Sequence, residues 1–221
     1  EEYREKVQRL DREGFQLYTH AIGDKAVREA VNAYELAMAS DKNLQRRHRI
    51  EHIEQINPSD LKRFHTLGIL PSMQPIHADP GTVDVWSRAV GSQRLPNSFN
   101  WAAFVRDGNV LVYGSDWPAC INADPLHGLH VAVNRKTVDG KPEGGWVPEQ
   151  RLSVNEALTA YTRNGAFASF DENRKGTIRE GLLADLVVLS QDLFTIDPLQ
   201  IHETKVDLTV VGGKVVFQRT K

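Results

Sequence analysis

Three apolar, strand-like runs in this 221-residue chain each close on a side chain suited to metal or proton chemistry. The runs are Phe15-Gln16-Leu17-Tyr18-Thr19-His20, His48-Arg49-Ile50-Glu51-His52 and Val110-Leu111-Val112-Tyr113-Gly114-Ser115-Asp116. His52 follows His20 by 32 residues, and Asp116 follows His52 by 64. A strand-helix-strand step takes about 30 residues, so the gaps fit one such step and two. Strands that alternate with helices pair in parallel, with the helices outside. In a closed parallel α/β barrel, functional groups gather on the face where the strands end. Imidazole and carboxylate there make a ligand set for a borderline or hard divalent ion such as zinc.

The intervening segments support the alternation. Residues 1–13 read as a polar helix stopped by Gly14, and Asp24 reads as the N-cap of a helix over Ala26–Ala39. Pro58, Ser59 and Asp60 open a helix with Leu61, Phe64 and Leu67 at helical spacing, closed by Gly68. A strand over Ile69–Gln74 leads into a long polar loop, Pro75–Pro96, and then a short helix, Phe99–Arg106. His127 and His130, three apart, share one helical face and read as surface histidines. Residues 139–148 are rich in Gly and Pro and read as a mobile loop. Ser153-Val154-Asn155-Glu156 matches a capping box for a helix to about Phe170. Beyond Gly176 the texture turns to β: Asp185–Leu189, Leu208–Val211 and Lys214–Phe217, the last two joined at Gly212-Gly213 in a hairpin with a primed turn.

Charge excludes some classes. With 27 basic and 29 acidic residues the net charge is -2, which gives no footing for nucleic acid or an anionic membrane surface. The dense basic stretch Arg46, Arg47, His48, Arg49 reads as a solvated turn. A single cysteine, Cys120, excludes an intrachain disulfide and reads as a small buried apolar residue. No run is long enough to span a bilayer and no signal peptide is evident, which favours a cytoplasmic protein. The chain opens on Glu1 without an initiator Met, in what reads as the middle of a helix, so an upstream targeting segment is compatible with it.

Four stretches carry a resemblance: Thr19-His20-Ala21-Ile22-Gly23-Asp24, Arg49-Ile50-Glu51-His52, Gly114-Ser115-Asp116-Trp117-Pro118 and Gly181-Leu182-Leu183-Ala184-Asp185-Leu186-Val187-Val188. In this order the chain resembles the amidohydrolase superfamily, and within it the amidohydrolase 3 branch that includes N-substituted formamide deformylase. The resemblance implies an α/β fold, the C-terminal half of a distorted (β/α)8 TIM-type barrel plus part of a small β-sandwich. Residues 1–173 would be barrel strands five to eight with the following helix, and residues 174–221 the C-terminal part of the composite sandwich.

That resemblance also implies metal-dependent hydrolysis of a non-peptide C–N bond in a small amide or formamide. His20 and His52 match the ligands of strands five and six. Asp116 matches the strand-eight aspartate, general base and acid and a further ligand to one or two Zn2+ or other divalent ions. The family's His-any-residue-His pair and its strand-four bridging ligand have no counterpart here, since no two histidines in the chain are separated by one residue. The missing N-terminal half of the barrel is then an implied partner. The alternative is a non-catalytic half-barrel or a truncated product, whose open edges and exposed inner face would require a separate chain or a second copy of itself.

Secondary candidates flank these positions. His77, at the end of the third strand, and Trp117, beside Asp116, are candidate substrate contacts, each with an alternative as a loop histidine or a packing aromatic. Asp79 shares the loop of His77. Glu51 and Glu54 flank His52, and strict alternation turns them away from it, towards the helix layer. For His20 and His52 themselves the alternative is a hydrogen-bonded core histidine.

Overall fold

The computed structural model describes residues 1–39, 45–120 and 123–220, and divides them into two compact units. The first comprises Glu1–Met73 and Val85–Val112, the second Gln74–Asp84 and Tyr113–Lys221. No helix among the described residues is long and apolar enough to cross a membrane.

In the first unit, α1 (Glu2–Arg12) carries Glu2 and Glu5 in its first turn and Arg9 and Arg12 in its last. These charges oppose the helix dipole at each end. β1 (Tyr18–Ala21), α2 (Asp24–Met38), β2 (Arg49–His52), α3 (Pro58–Leu67) and β3 (Leu70–Met73) follow. β1 pairs with β2 and β2 with β3, both in parallel. β4 (Val112–Tyr113) completes the sheet in the order β1-β2-β3-β4. The parallel α/β arrangement is thus the one expected from the alternation.

The helix layer is fixed by both packing and polar ties. α2 buries Val27, Ala30, Val31, Ala33, Tyr34 and Ala37 along one stripe, the spacing of an amphipathic helix. Tyr34 donates its hydroxyl to the Arg49 carbonyl at 2.9 Å and lies 2.8 Å from Thr19 Oγ1. Thr19 therefore points at the helices, and alternation puts His20 on the other face. α3 starts at Asn57, which accepts from the Ser59 amide, and ends at Gly68 with φ 64°. Gly68 needs that left-handed conformation to close the helix.

Several local expectations change. The first residue of α2 is Asp24, and its N-cap is Gly23 without a side-chain cap bond. The long loop contains a 3₁₀ turn at Pro75–Ala78 and a helix, α4 (Asp84–Val90). Trp86 of that helix meets the Phe99 ring edge-on at 5.8 Å, a tertiary contact that local pattern does not encode. α5 (Trp101–Arg106) then packs Phe104 against Phe64 of α3 at 4.9 Å. The basic stretch is not a solvated turn: Arg46 and His48 are buried around the carboxylate of Asp11.

In the second unit, α6 (Pro125–Asn134) is capped by Asp124, which accepts from the Leu126 amide at 2.9 Å. α7 (Val154–Tyr161) has the expected capping box of Ser153 and Glu156, but Thr162 interrupts the long helix and α8 (Arg163–Ala168) continues it. The stretch 139–148 is not a loose loop. Trp146 donates its amide to the Arg135 carbonyl at 2.7 Å, and Arg135 Nε returns a bond to the Trp146 carbonyl at 2.8 Å. β5 (Leu186–Leu189), β6 (Val206–Val211) and β7 (Lys214–Gln218) form a separate antiparallel sheet. Gly212 and Gly213 turn β6 into β7 with φ of 56° and 78°, the pair of positive values a type I′ turn requires. Cys120 is half-buried, where an apolar core position was expected.

Candidate metal and proton-transfer residues

Within the first unit, His20 and His52 come together. His52 is the last residue of β2 and His20 the next-to-last of β1, so both lie at the C-terminal ends of adjacent parallel strands. Their rings meet edge to face with centroids 4.4 Å apart. His52 is buried, whereas His20 is exposed.

The backbone explains how they meet. In register, His20 sits opposite Glu51, and Ala21 opposite His52. Strict alternation would send His20 and His52 to opposite faces. His52 and Ile53 instead have φ of 75° and 49°, a left-handed region costly for residues with a Cβ. The turn takes His52 out of phase with its strand. Glu51, expected in the helix layer, is the register partner of His20 and shares its face. Its carboxylate lies 3.4 Å from Arg49 Nε, and the Arg49 guanidinium stacks 3.6 Å over the Tyr18 ring. Counting alternation from Ile50, fully buried, rather than from His52 would have placed Glu51 on the face of His20.

Within the second unit, His77 lies in the 3₁₀ turn Pro75–Ala78, and its Nε2 is 3.7 Å from Asp116 Oδ2. Asp116 also has a positive φ, 59°. Trp117 follows with its side chain exposed, its amide 3.3 Å from Ser115 Oγ.

Two residues given little weight in the sequence meet in this unit. His127 Nε2 is 2.7 Å from Asp79 Oδ2, and Asp79 Oδ1 accepts from the Gly81 amide at 2.8 Å. Burial pushes the Asp79 carboxyl up, but the bonds from His127 and Gly81 outweigh it and hold it below the usual range. The bond to Asp79 lifts His127 above the ordinary imidazole range against the opposing effect of burial. His130 is not a surface histidine. It is fully buried and its Nε2 lies 3.1 Å from the Thr137 carbonyl. Burial, the largest influence, pushes it down.

The chain has relatives of known name. It is 35% identical over 211 residues to Protein LONG AFTER FAR-RED 3 of Arabidopsis thaliana, covering 94% of this chain and 35% of that protein. It is 30% identical over 217 residues to the N-substituted formamide deformylase of Arthrobacter pascens, covering 96% and 38%. A crystal structure of an uncharacterized metal-dependent hydrolase from Pyrococcus horikoshii OT3 superposes with a TM-score of 0.74 at 26% identity, covering 88% of this chain and 38% of that one. The chain thus spans well under half the length of each. A sequence profile of the amidohydrolase family matches residues 1–217. The chain belongs to the amidohydrolase family.

Proposed function

We propose that this chain carries part of the metal-holding set and the proton-transfer carboxylate of a hydrolase that cleaves a non-peptide C–N bond, of amide or formamide type. The observation that carries the reading is the His20–His52 pair, two imidazoles 4.4 Å apart at adjacent strand ends. The donor chemistry fits a borderline divalent ion, and zinc is the proposed one. His20, His52 and Asp116 are the proposed ligands. An ion held there supplies Lewis acidity, which lowers the pKa of water so that hydroxide is accessible near neutral pH.

Asp116 does the proton work. Its carboxylate accepts a proton from the attacking water and returns it to the departing amine nitrogen, so one group serves as base and then as acid. Its partial exposure leaves room for a water and a substrate to reach it. His77, beside Asp116, and Trp117, beyond it, are the proposed substrate contacts. The fold proposal is the C-terminal half of a (β/α)8 barrel over residues 1–173 and part of a β-sandwich over 174–221. Further ligands, a His-any-residue-His pair among them, are proposed to come from an N-terminal half of the barrel or a partner chain.

The test uses the natural polypeptide that contains this sequence. Metal content is measured by elemental analysis, and turnover on a panel of N-substituted formamides and small amides. Asp116→Asn should keep most of the metal and lose turnover by about 10²- to 10⁴-fold, the range for removal of a positioned general base. Normal turnover by Asp116→Asn would remove the proton-transfer assignment.

A further inference from the structure

The contact between Asp79 and His127 joins two segments 48 residues apart. Asp79 directly follows the 3₁₀ turn that bears His77. That turn is short; the His77 amide reaches the Gln74 carbonyl at 3.1 Å and the Asp79 amide the Ile76 carbonyl at 3.2 Å. A turn of this kind has poor hydrogen-bond geometry of its own. Asp79 supplies what it lacks. Its carbonyl accepts from the Thr82 amide at 2.9 Å, its Oδ1 from the Gly81 amide, and its Oδ2 meets His127.

His127 sits on a rigid support. It lies in the first turn of α6, which Asp124 caps. Farther along α6, Asn134 Nδ2 donates to the Pro198 carbonyl at 2.8 Å, and Gly128 lies so close to Tyr161 that an added Cβ would fall 2.0 Å from its hydroxyl oxygen. The helix is therefore held on two sides, and a side chain rooted in it can fix a less ordered segment. His77 Nε2 lies 3.7 Å from Asp116 Oδ2, and the position of the turn that bears it enters that separation.

We propose that Asp79 and His127 are positioning residues that hold the His77 turn so that its imidazole stays beside Asp116. The proposal rests on the hydrolase reading for its catalytic consequence, and on the geometry alone for the placement of His77. The pair touches no reacting atom. It acts as a charge-assisted latch between α6 and the turn, and preserves a geometry in which small displacements cost rate.

The experiment reads placement and turnover separately in the natural polypeptide. Placement is read as the rate at which diethyl pyrocarbonate modifies His77, followed by peptide mass spectrometry, with exposed His65, outside the proposed site, as the internal reference. His127→Ala should raise the His77 rate relative to His65 several-fold and lower kcat/KM by about tenfold or more. His127→Gln, whose amide NH2 replaces the Nε2 donor, should restore most of both. The double variant with Asp79→Ala should be no worse than the worse single one, because the two act through one contact. Should His127→Ala not fold, Asp79→Asn takes its place, with the same expected direction. An unchanged His77 rate in a folded variant would overturn the latch, whatever happens to turnover. A raised His77 rate in a protein that hydrolyses none of the panel would uphold the latch and count against the hydrolase reading.

Discussion

His48 Nε2 lies 2.8 Å from Asp11 Oδ1, and the same carboxylate receives Arg46 Nε at 2.5 Å and a second guanidinium nitrogen at 3.0 Å. All three side chains are buried. The Leu17 amide donates to His48 Nδ1 at 3.1 Å, so the proton of a neutral ring belongs on Nε2, aimed at Asp11. A single carboxylate on α1 thus gathers the approach to β2 and the approach to β1. Asp11→Ala should destabilise the first unit by about 3–5 kcal/mol, since it leaves Arg46 as an uncompensated buried charge. Urea denaturation of wild type and variant measures it, and a loss under about 1 kcal/mol would mean that water reaches the guanidinium.

The same triad gives a pH dependence of definite sign. Burial pushes His48 down, against the pull of Asp11, and Arg46 adds to the lowering. The unfolded histidine, with its ordinary pKa of about 6.5, therefore takes up a proton before the native one does, and stability falls as pH drops below that value. Asp11 is pushed up by burial but pulled further down by Arg46 and His48. Its contribution is present above about 3.9 and is lost as pH falls towards its lower native pKa. The urea midpoint should thus decline from pH 7 to 5 and again below about 4. His48→Gln should flatten the first decline and leave the second; an unaltered slope between pH 7 and 5 would assign that decline to other groups.

Gly128 on α6 has no room for a methyl group. An added Cβ would lie 2.0 Å from the Tyr161 hydroxyl oxygen but 3.1 Å from the ring carbon that bears it. Gly128→Ala should cost about 1–3 kcal/mol through overpacking, despite alanine's better helix propensity. Tyr161→Phe deletes the offending atom, so the double variant should recover most of that loss. Thermal unfolding of the four proteins in the cycle gives the coupling, and additive effects would place Tyr161 elsewhere.

His52 is expected to dominate metal affinity. Loss of residues that merely orient ligands lowers affinity about 10–100-fold, so His52→Ala should cost at least about 100-fold. His65, exposed and 3.3 Å from the Gly108 carbonyl, is the control, and His65→Ala should leave affinity unchanged. Competition with a chromogenic zinc chelator reports both. Equal affinities in wild type and His52→Ala would exclude the proposed ligand.

The strand-helix order was legible because the signals were local. Gly68 closes α3, Ser153 and Glu156 cap α7, and the Gly212-Gly213 pair turns the hairpin, each decided within a few residues. His20 and His52 were legible as strand-end residues for the same reason, whereas β4 ends at Tyr113 and Asp116 lies in the segment beyond it, not at the end of a strand running from Val110. What escaped was long-range. The basic stretch at Arg46 is buried because its carboxylate lies 35 residues upstream. α4 forms in a polar segment around Trp86, which packs on Phe99. Glu51 was assigned the wrong face because its phase was counted from His52, whose positive φ breaks the alternation. Asp79 and His127 looked like a loop acid and a surface imidazole because neither segment names the other.

The left-handed backbone at His52 and Asp116 sets folding and chemistry against each other. Both residues occupy a region that glycine enters at less cost. Replacing either with glycine relieves about 1 kcal/mol or more of strain while it removes a side chain of the proposed site. Selection for thermal resistance alone would therefore drift away from the proposed site at these two positions. A library intended to harden this chain should hold them fixed and seek its gains elsewhere.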